Sequence, residues 1–264
     1  MTELNQDLLY AVKKIAEEAG QAILQIYQQD EFKVQTKSDH SPLTQADLAS
    51  HDIITKALKK LTPKILILSE EGEQLDGDVE TFWCVDPLDG TKEFIKHNGE
   101  FTVNIALIEN HQPALGVIHI PVANETFIAA KGNGAKKIKD HQTQSLLKQQ
   151  NEARQPPIFT VSRSHINHQT QDFIKQHLAK TIAAGSSLKL TMLAEGIADC
   201  YPRFGPTALW DIAAGHAILR ETGGEIRNLD QQPLVYNINT ILNPSFIAVS
   251  DRNRQFIVEE IHGT

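Results

Sequence analysis

Apolar positions at Leu4, Leu8, Val12, Ile15, Ala19, Ile23 and Ile26 recur every three or four residues, which predicts an amphipathic helix over 4–29. After a polar connection, Ser41-Pro42 and Thr44 precede a second helical run through Leu48, Ile53, Ile54, Ala57, Leu58 and Leu61, which Pro63 ends. From Ile65 the pattern shortens to apolar runs at Ile65–Leu68, Phe82–Val85, Phe101–Ile108, Ala114–Ile120 and Thr126–Ala130, separated by turn residues. These predict strands of a largely antiparallel sheet. Residues 131–157, from Lys131-Gly132-Asn133-Gly134 to Pro156-Pro157, show no apolar period and read as an excursion and linker.

Past a boundary placed near residue 154, strands at 158–162, 181–184, 197–201, 224–227 and 245–250 alternate with helices at 167–179, 188–195, 210–221 and 252–262. That alternation predicts a parallel or mixed sheet covered by helices. The expected division is an N-terminal α+β domain over 1–153 and a C-terminal α/β domain over 154–264. No internal repeat is visible.

With 264 residues, 41% of them hydrophobic, the chain can bury a substantial core. The net charge of −8 argues against broad nucleic-acid binding, because neutralising many phosphates needs clustered Lys and Arg. The aromatic residues are too scattered for a base-stacking platform, and Trp83, Phe94 and Phe101 read as core. Cys84 and Cys200 lack metal or redox spacing and read as buried small hydrophobes. His111, His119, His168 and His177 show no ligand spacing. Polar residues at the start interrupt any signal-like segment, and no stretch approaches the roughly 20 apolar residues of a membrane span. A cytoplasmic protein is expected, with peripheral contact at the cytoplasmic face of an inner membrane left open. Its oligomeric state is unreadable.

Three segments change the picture. The apolar run Trp83-Cys84-Val85 leads into Asp86-Pro87-Leu88-Asp89-Gly90-Thr91; Leu66-Ile67-Leu68 leads into Ser69-Glu70-Glu71; and Trp210-Asp211-Ile212-Ala213-Ala214-Gly215 opens a helix rich in small residues. Alone, each has an ordinary explanation: an Asp-Pro turn, a solvated acidic turn, a helix start stabilised by its dipole. Together they suggest carboxylates aimed at a hard divalent cation such as Mg²⁺, which needs oxygen ligands. Gly90 and Thr91 begin a helical turn whose free N–H groups suit a phosphate.

Taken in this order, the three segments resemble the signature of the inositol monophosphatase superfamily, whose fold is a layered αβαβα sandwich. Asp89-Gly90-Thr91-Lys92-Glu93-Phe94, Asn98–Asn104, Ser162-Arg163-Ser164-His165, Gly185–Lys189 and Tyr201–Thr207 resemble its bisphosphate nucleotidase branch more narrowly. The resemblance implies a phosphatase that hydrolyses the 3′-phosphate of adenosine 3′,5′-bisphosphate, with 3′-phosphoadenosine 5′-phosphosulfate as a second substrate. It implies two or three Mg²⁺ ions per active site, inhibition by lithium, and a role in sulfur metabolism. Inositol monophosphatase or fructose-bisphosphatase activity on the same metal site is the enzymatic alternative. A scaffold that senses nucleotide without turnover is the alternative from another class.

By that resemblance Glu70, Asp86, Asp89, Asp211 and the carbonyl of Leu88 are metal ligands. The resemblance also implies that Glu70 orients the attacking water and that Thr91 helps to activate it through a hydroxyl oriented by Asp47. For Asp47 the spacing Thr44-Gln45-Ala46-Asp47 also fits a helix capping box. Leu88, Asp89, Gly90, Thr91 and Asp211 are expected around the reacting phosphate. His165, Gly185, Ser186, Lys189 and Arg203 are expected to recognise the rest of the nucleotide.

Overall fold

The computed structural model describes residues 6–29, 34–36, 42–148, 152–163 and 166–253. Its elements stack in five layers. The first holds α1 (Gln6–Tyr27) and α2 (Gln45–Leu61), which pack on each other and on the second layer; of the stripe predicted for α2, Ile54 and Leu58 are buried and Ile53 and Ala57 pack against the core, while Leu48 and Leu61 at its ends are exposed. The first helix is thus a little shorter than the expected 4–29, and residues 4 and 5 lie outside the described residues. In the polar connection a short ladder forms between β1 (Val34–Thr36) and β2 (Pro42–Thr44), which no apolar pattern announced.

The second layer is a seven-stranded sheet of β3 (Leu66–Ser69), β4 (Thr81–Asp89), β5 (Thr102–Glu109), β6 (Gln112–Ile120), β7 (Glu125–Ala130), β8 (Ala135–Lys139) and β9 (Gln142–Leu146), in sequence order. Only the β3–β4 pairing is parallel. Here the expectation of an irregular excursion over 131–157 is corrected, since β8 and β9 extend the sheet as a hairpin. They lie at its edge and bury only Ala135, Ile138 and Leu146, so their sequence carries almost no apolar alternation.

The third layer is α5 (Leu188–Ala194) and α6 (Leu209–Glu221). Helix α6 lies between two sheets and is buried nearly all round, which requires small residues at its contacts. A Cβ on Gly116 of β6 would sit 2.3 Å from the Ala214 carbonyl oxygen, and one on Gly215 would sit 2.3 Å from Leu190 Cδ1. The fourth layer is the mixed sheet β11-β10-β12-β14-β13, built from β10 (Ile158–Ser162), β11 (Lys180–Ala184), β12 (Cys200–Arg203), β13 (Glu225–Asn228) and β14 (Phe246–Val249). Beyond it α4 (His168–Gln176) forms the fifth, packing on β12. The strand expected at 197–201 starts three residues later because 197–199 complete the turn out of α5. The helix expected at 252–262 falls mostly outside the described residues; Asp251–Asn253 form a 3-10 turn.

One cluster of buried side chains crosses residue 154: Phe82, Ile118 and Phe127 from before it join Leu190, Ile212 and Ile218 from after it. A second fills the space between the first two layers, with Trp83, Phe94 and Phe101 fully buried. Both cysteines are buried free thiols. Among the described residues, no helix is long and apolar enough to cross a membrane.

Candidate active site

The Asp86-Pro87-Leu88-Asp89 segment is the last stretch of β4, not a turn beyond it. Residues three apart on a regular strand face opposite sides of the sheet. Here Asp86 pairs with Asn104 while Asp89 pairs with Thr102, so three steps on β4 match two on β5. The extra residue, at the proline that cannot donate to the ladder, rephases the strand and brings both carboxylates to one side. Asp211 reaches the same point from the third position of α6. Among the described residues Asp86, Asp89 and Asp211 form a group whose oxygens lie within 4.8 Å of one another. Asp86 is buried and the other two are half-buried.

Glu70 follows β3, its N–H bonded to Val85 O at 3.1 Å, and lies outside that tight group. Its charge still acts on the group: the Asp86 carboxyl is pushed well above the usual carboxylate range by burial first, then by Glu70, Asp89 and Asp211. Burial likewise raises Asp89 against the stabilising Lys189 charge and the Ser187 hydrogen bond, and raises Asp211 together with the Asp89 charge. Three clustered carboxylates repelling one another, with hard oxygen donors and no protein cation among them, fit a divalent metal. Leu88 N–H donates to Asp86 Oδ1 at 3.1 Å, while the Leu88 carbonyl lies 3.4 Å from Thr91 Oγ1.

Asp47 serves two partners at once. Its Oδ2 accepts from the N–H and the hydroxyl of Thr44, completing the capping box of α2, while its Oδ1 accepts from Thr91 Oγ1 at 3.0 Å. Asp211 repeats the device, with Oδ2 accepting from Ala208 N–H at 2.8 Å at the start of α6. Both carboxylates therefore have a helix terminus fixing one oxygen. Gly90 takes φ 97°, open to glycine, and a Cβ there would press on Glu100 O at 3.0 Å.

The cleft beside this cluster is lined by Asp89, Gly90, Lys189, Arg203 and Asp211, with Gly185 and Ser186 on its rim. Lys189 is buried, with Nζ donating to Ser186 O and Ala184 O and lying 5.4 Å over the Tyr201 ring. Burial lowers its pKa to about 8 against the pull of Asp89 and Asp211. Ser186 Oγ and Arg203 Nε are buried without a hydrogen-bond partner. His165 lies outside the described residues.

Two polar residues at the centre carried no signal of their own in the sequence. Ser187 Oγ lies 2.8 Å from both Asp89 Oδ2 and Asp211 O, and its single proton serves one of them. Asn104 Nδ2 donates to Ser187 Oγ at 2.8 Å and to Asp89 Oδ2 at 3.3 Å. Both sit inside segments that matched the nucleotidase branch, which was the only hint available.

Comparison with known proteins places the fold and site in context. The family described as the inositol monophosphatase family matches residues 4–263, and the chain belongs to it. Within that family the likeness is to CysQ. The chain is 44% identical over 247 residues to the 3'(2'),5'-bisphosphate nucleotidase CysQ of Escherichia coli, covering 90% of this chain and 98% of that one. It is 34% identical to the Haemophilus influenzae protein of the same name, covering 96% of each. The crystal structure of CysQ from Bacteroides thetaiotaomicron superposes with a TM-score of 0.81 at 39% identity, covering 94% of this chain and 99% of that one.

Proposed function

We propose that this protein is a Mg²⁺-dependent phosphatase that removes the 3′-phosphate of adenosine 3′,5′-bisphosphate, yielding AMP and phosphate, and that it also accepts 3′-phosphoadenosine 5′-phosphosulfate. The observation that carries the reading is the convergence of Asp86, Asp89 and Asp211 within 4.8 Å beside a cleft with uncommitted donors. The similarity to CysQ proteins supports the choice of nucleotide over inositol or sugar phosphates.

Asp86, Asp89, Asp211, Glu70 and the Leu88 carbonyl would hold the metal ions. Bound there, the ions would supply neutralisation of phosphate charge and a more acidic water. The remaining chemistry belongs to side chains. Thr91 donates its hydroxyl hydrogen to Asp47 Oδ1, so its oxygen can accept a hydrogen bond from an incoming water, and a proton taken from that water is balanced by passing the hydroxyl proton on to Asp47. Asp47 cannot swing away, because its second oxygen is held at the α2 cap. Glu70, beside the cluster, orients the same water. Ser187 and Asn104 hold Asp89 Oδ2, limiting the rotation of that carboxylate. Away from the metals, Ser186, Lys189 and Arg203 line the cleft where the remote part of a doubly phosphorylated nucleotide would lie; Ser186 Oγ, buried without a protein partner, would reach it by turning about its Cα–Cβ bond, and Lys189 adds a nearby positive charge. Gly185 and His165 complete the expected recognition set.

The test is phosphate release from adenosine 3′,5′-bisphosphate, inositol 1-phosphate and fructose 1,6-bisphosphate, each with saturating Mg²⁺ and with EDTA. Metal-dependent turnover with strong preference for the nucleotide is expected. Preference for inositol or sugar phosphate would keep the metal site and overturn the recognition residues. Nucleotide binding without turnover would favour a sensing scaffold.

A further inference from the structure

Outside the carboxylate cluster, Glu100 bonds to two segments beside the cleft. Its Oε2 accepts from Arg163 Nε at 2.7 Å and from the Gly185 N–H at 2.8 Å, and its Oε1 accepts from Arg163 Nη2 at 2.5 Å. Arg163 Nη2 also donates to Ala183 O at 2.8 Å. One carboxylate thus ties the segment before β5 to the ends of β10 and β11, 63 and 85 residues away in the chain.

The backbone of the same residue is wedged between two glycines. A Cβ on Gly185 would meet Glu100 O at 2.8 Å, and a Cβ on Gly90 would meet that oxygen at 3.0 Å and Ser186 Cβ at 3.3 Å. Between them Ser186 holds φ 42°, a left-handed conformation that a non-glycine residue adopts only under restraint. The two residues that follow Gly185 are the ones that reach the site: Ser186 with its unpartnered hydroxyl, and Ser187 on Asp89.

We propose that Glu100 and Arg163 form a positioning latch that holds the Gly185–Ser187 segment against the Asp89–Thr91 turn, so that substrate meets a recognition loop already in place. Neither side chain lines the cleft itself. The substrate part of this inference rests on the nucleotide reading above. Arg163 is 45% exposed and Glu100 23%, so the pair contributes little to global stability and its effect falls on the loop. A bidentate guanidinium–carboxylate pair is also directional, which a point charge is not. Arg163→Lys therefore keeps the charge and loses the second bond.

Glu100→Ala, Glu100→Gln, Arg163→Ala and the double alanine variant are compared with wild type in two measurements. The first is hydrolysis of adenosine 3′,5′-bisphosphate at saturating Mg²⁺. KM is expected to rise about tenfold or more in each single alanine variant, with kcat held within about threefold, because Asn104 still holds Asp89 Oδ2 when the Ser187 segment loosens and the Thr91–Asp47 pair lies outside that segment. Glu100→Gln, which keeps an oxygen for the Gly185 N–H, falls between, and the double variant is no worse than Glu100→Ala, which already loses both the Arg163 pair and the Gly185 bond. The second is amide hydrogen exchange of the free protein, where Glu100→Ala accelerates exchange confined to residues 183–188. Unchanged KM, additive losses, or exchange that is unaltered or faster throughout would overturn the latch. Should the wild type leave the nucleotide intact, the functional reading fails, and the exchange pattern alone then decides the latch.

Discussion

Thr91 Oγ1 donates a 3.0 Å hydrogen bond to Asp47 Oδ1, joining two residues 44 apart in the chain. The same Asp47 closes the capping box of α2 with its other oxygen, so the cap that its spacing allowed is formed and still leaves one oxygen for Thr91. A carboxylate has room for both, with two oxygens and about four lone-pair directions. The helix cap makes Asp47 a fixed acceptor, and a fixed acceptor fixes the Thr91 proton.

That arrangement separates two variants. Thr91→Val keeps the shape and leaves the cap intact; kcat is expected to fall about a hundredfold with little change in stability. Asp47→Ala removes the cap as well, adding a loss of about 1–2 kcal/mol of stability. Steady-state kinetics and urea midpoints distinguish them. Wild-type turnover in Thr91→Val would remove Thr91 from the mechanism.

Asp86→Asn deletes one of several crowded negative charges without changing size. In EDTA the variant is expected to melt no lower than wild type, because the buried carboxylate carries a desolvation cost. Millimolar Mg²⁺ should raise the wild-type melting temperature by binding the native form, and that gain should vanish together with turnover in Asp86→Asn. A Mg²⁺-dependent shift as large as that of wild type would displace Asp86 from the ligand set.

The part of the stability that the buried neutral histidines contribute should fall as pH drops through the histidine range. Burial lowers the pKa of His119 to about 4 and of His216 to about 3. Glu17 opposes the shift at His119, where Nδ1 lies 2.9 Å from Thr126 Oγ1, while Arg220 deepens it at His216. The unfolded chain therefore takes up these protons first. Stability due to the neutral imidazoles is present above about pH 6.5 and is lost as pH falls toward 4, by up to about 3 kcal/mol for His119. The acidic cluster contributes with the opposite sign, so the informative quantity is the difference between wild type and His119→Gln. Denaturant unfolding at pH 7 and pH 4.5 measures it; parallel losses in both proteins would clear His119.

The family resemblance implies lithium inhibition through the metal cluster. Phosphate release at fixed Mg²⁺ should decline as lithium rises through the millimolar range, and activity that stays level would count against that assignment.

Because one apolar cluster crosses residue 154, the two expected halves should unfold together. Each carries one tryptophan: Trp83 lies on β4 and Trp210 on α6. Fluorescence of Trp83→Phe and Trp210→Phe variants should therefore report the same denaturation midpoint. Two midpoints would make the halves independent domains.

By itself, the sequence determined the order of most elements, the apolar face of α1 and the middle of that of α2, the buried cysteines and aromatics, and the segments that carry the carboxylates. These are consequences of short-range periodicity and of side chains that must leave water. The hairpin β8–β9 escaped because an edge strand buries too few residues to write an alternation. The site itself was decided only by the tertiary structure. Strand period alone would send Asp86 and Asp89 to opposite faces, and the bulge opposite Asn104 and Thr102 reverses that. Ser187 and Asn104 look like any polar residues until the start of α5, packed on α6, and strand β5 set them around Asp89. Nothing local relates Glu100 to Gly185 or Arg163. Those relations depend on register and on the approach of distant strands, which a one-dimensional pattern does not contain.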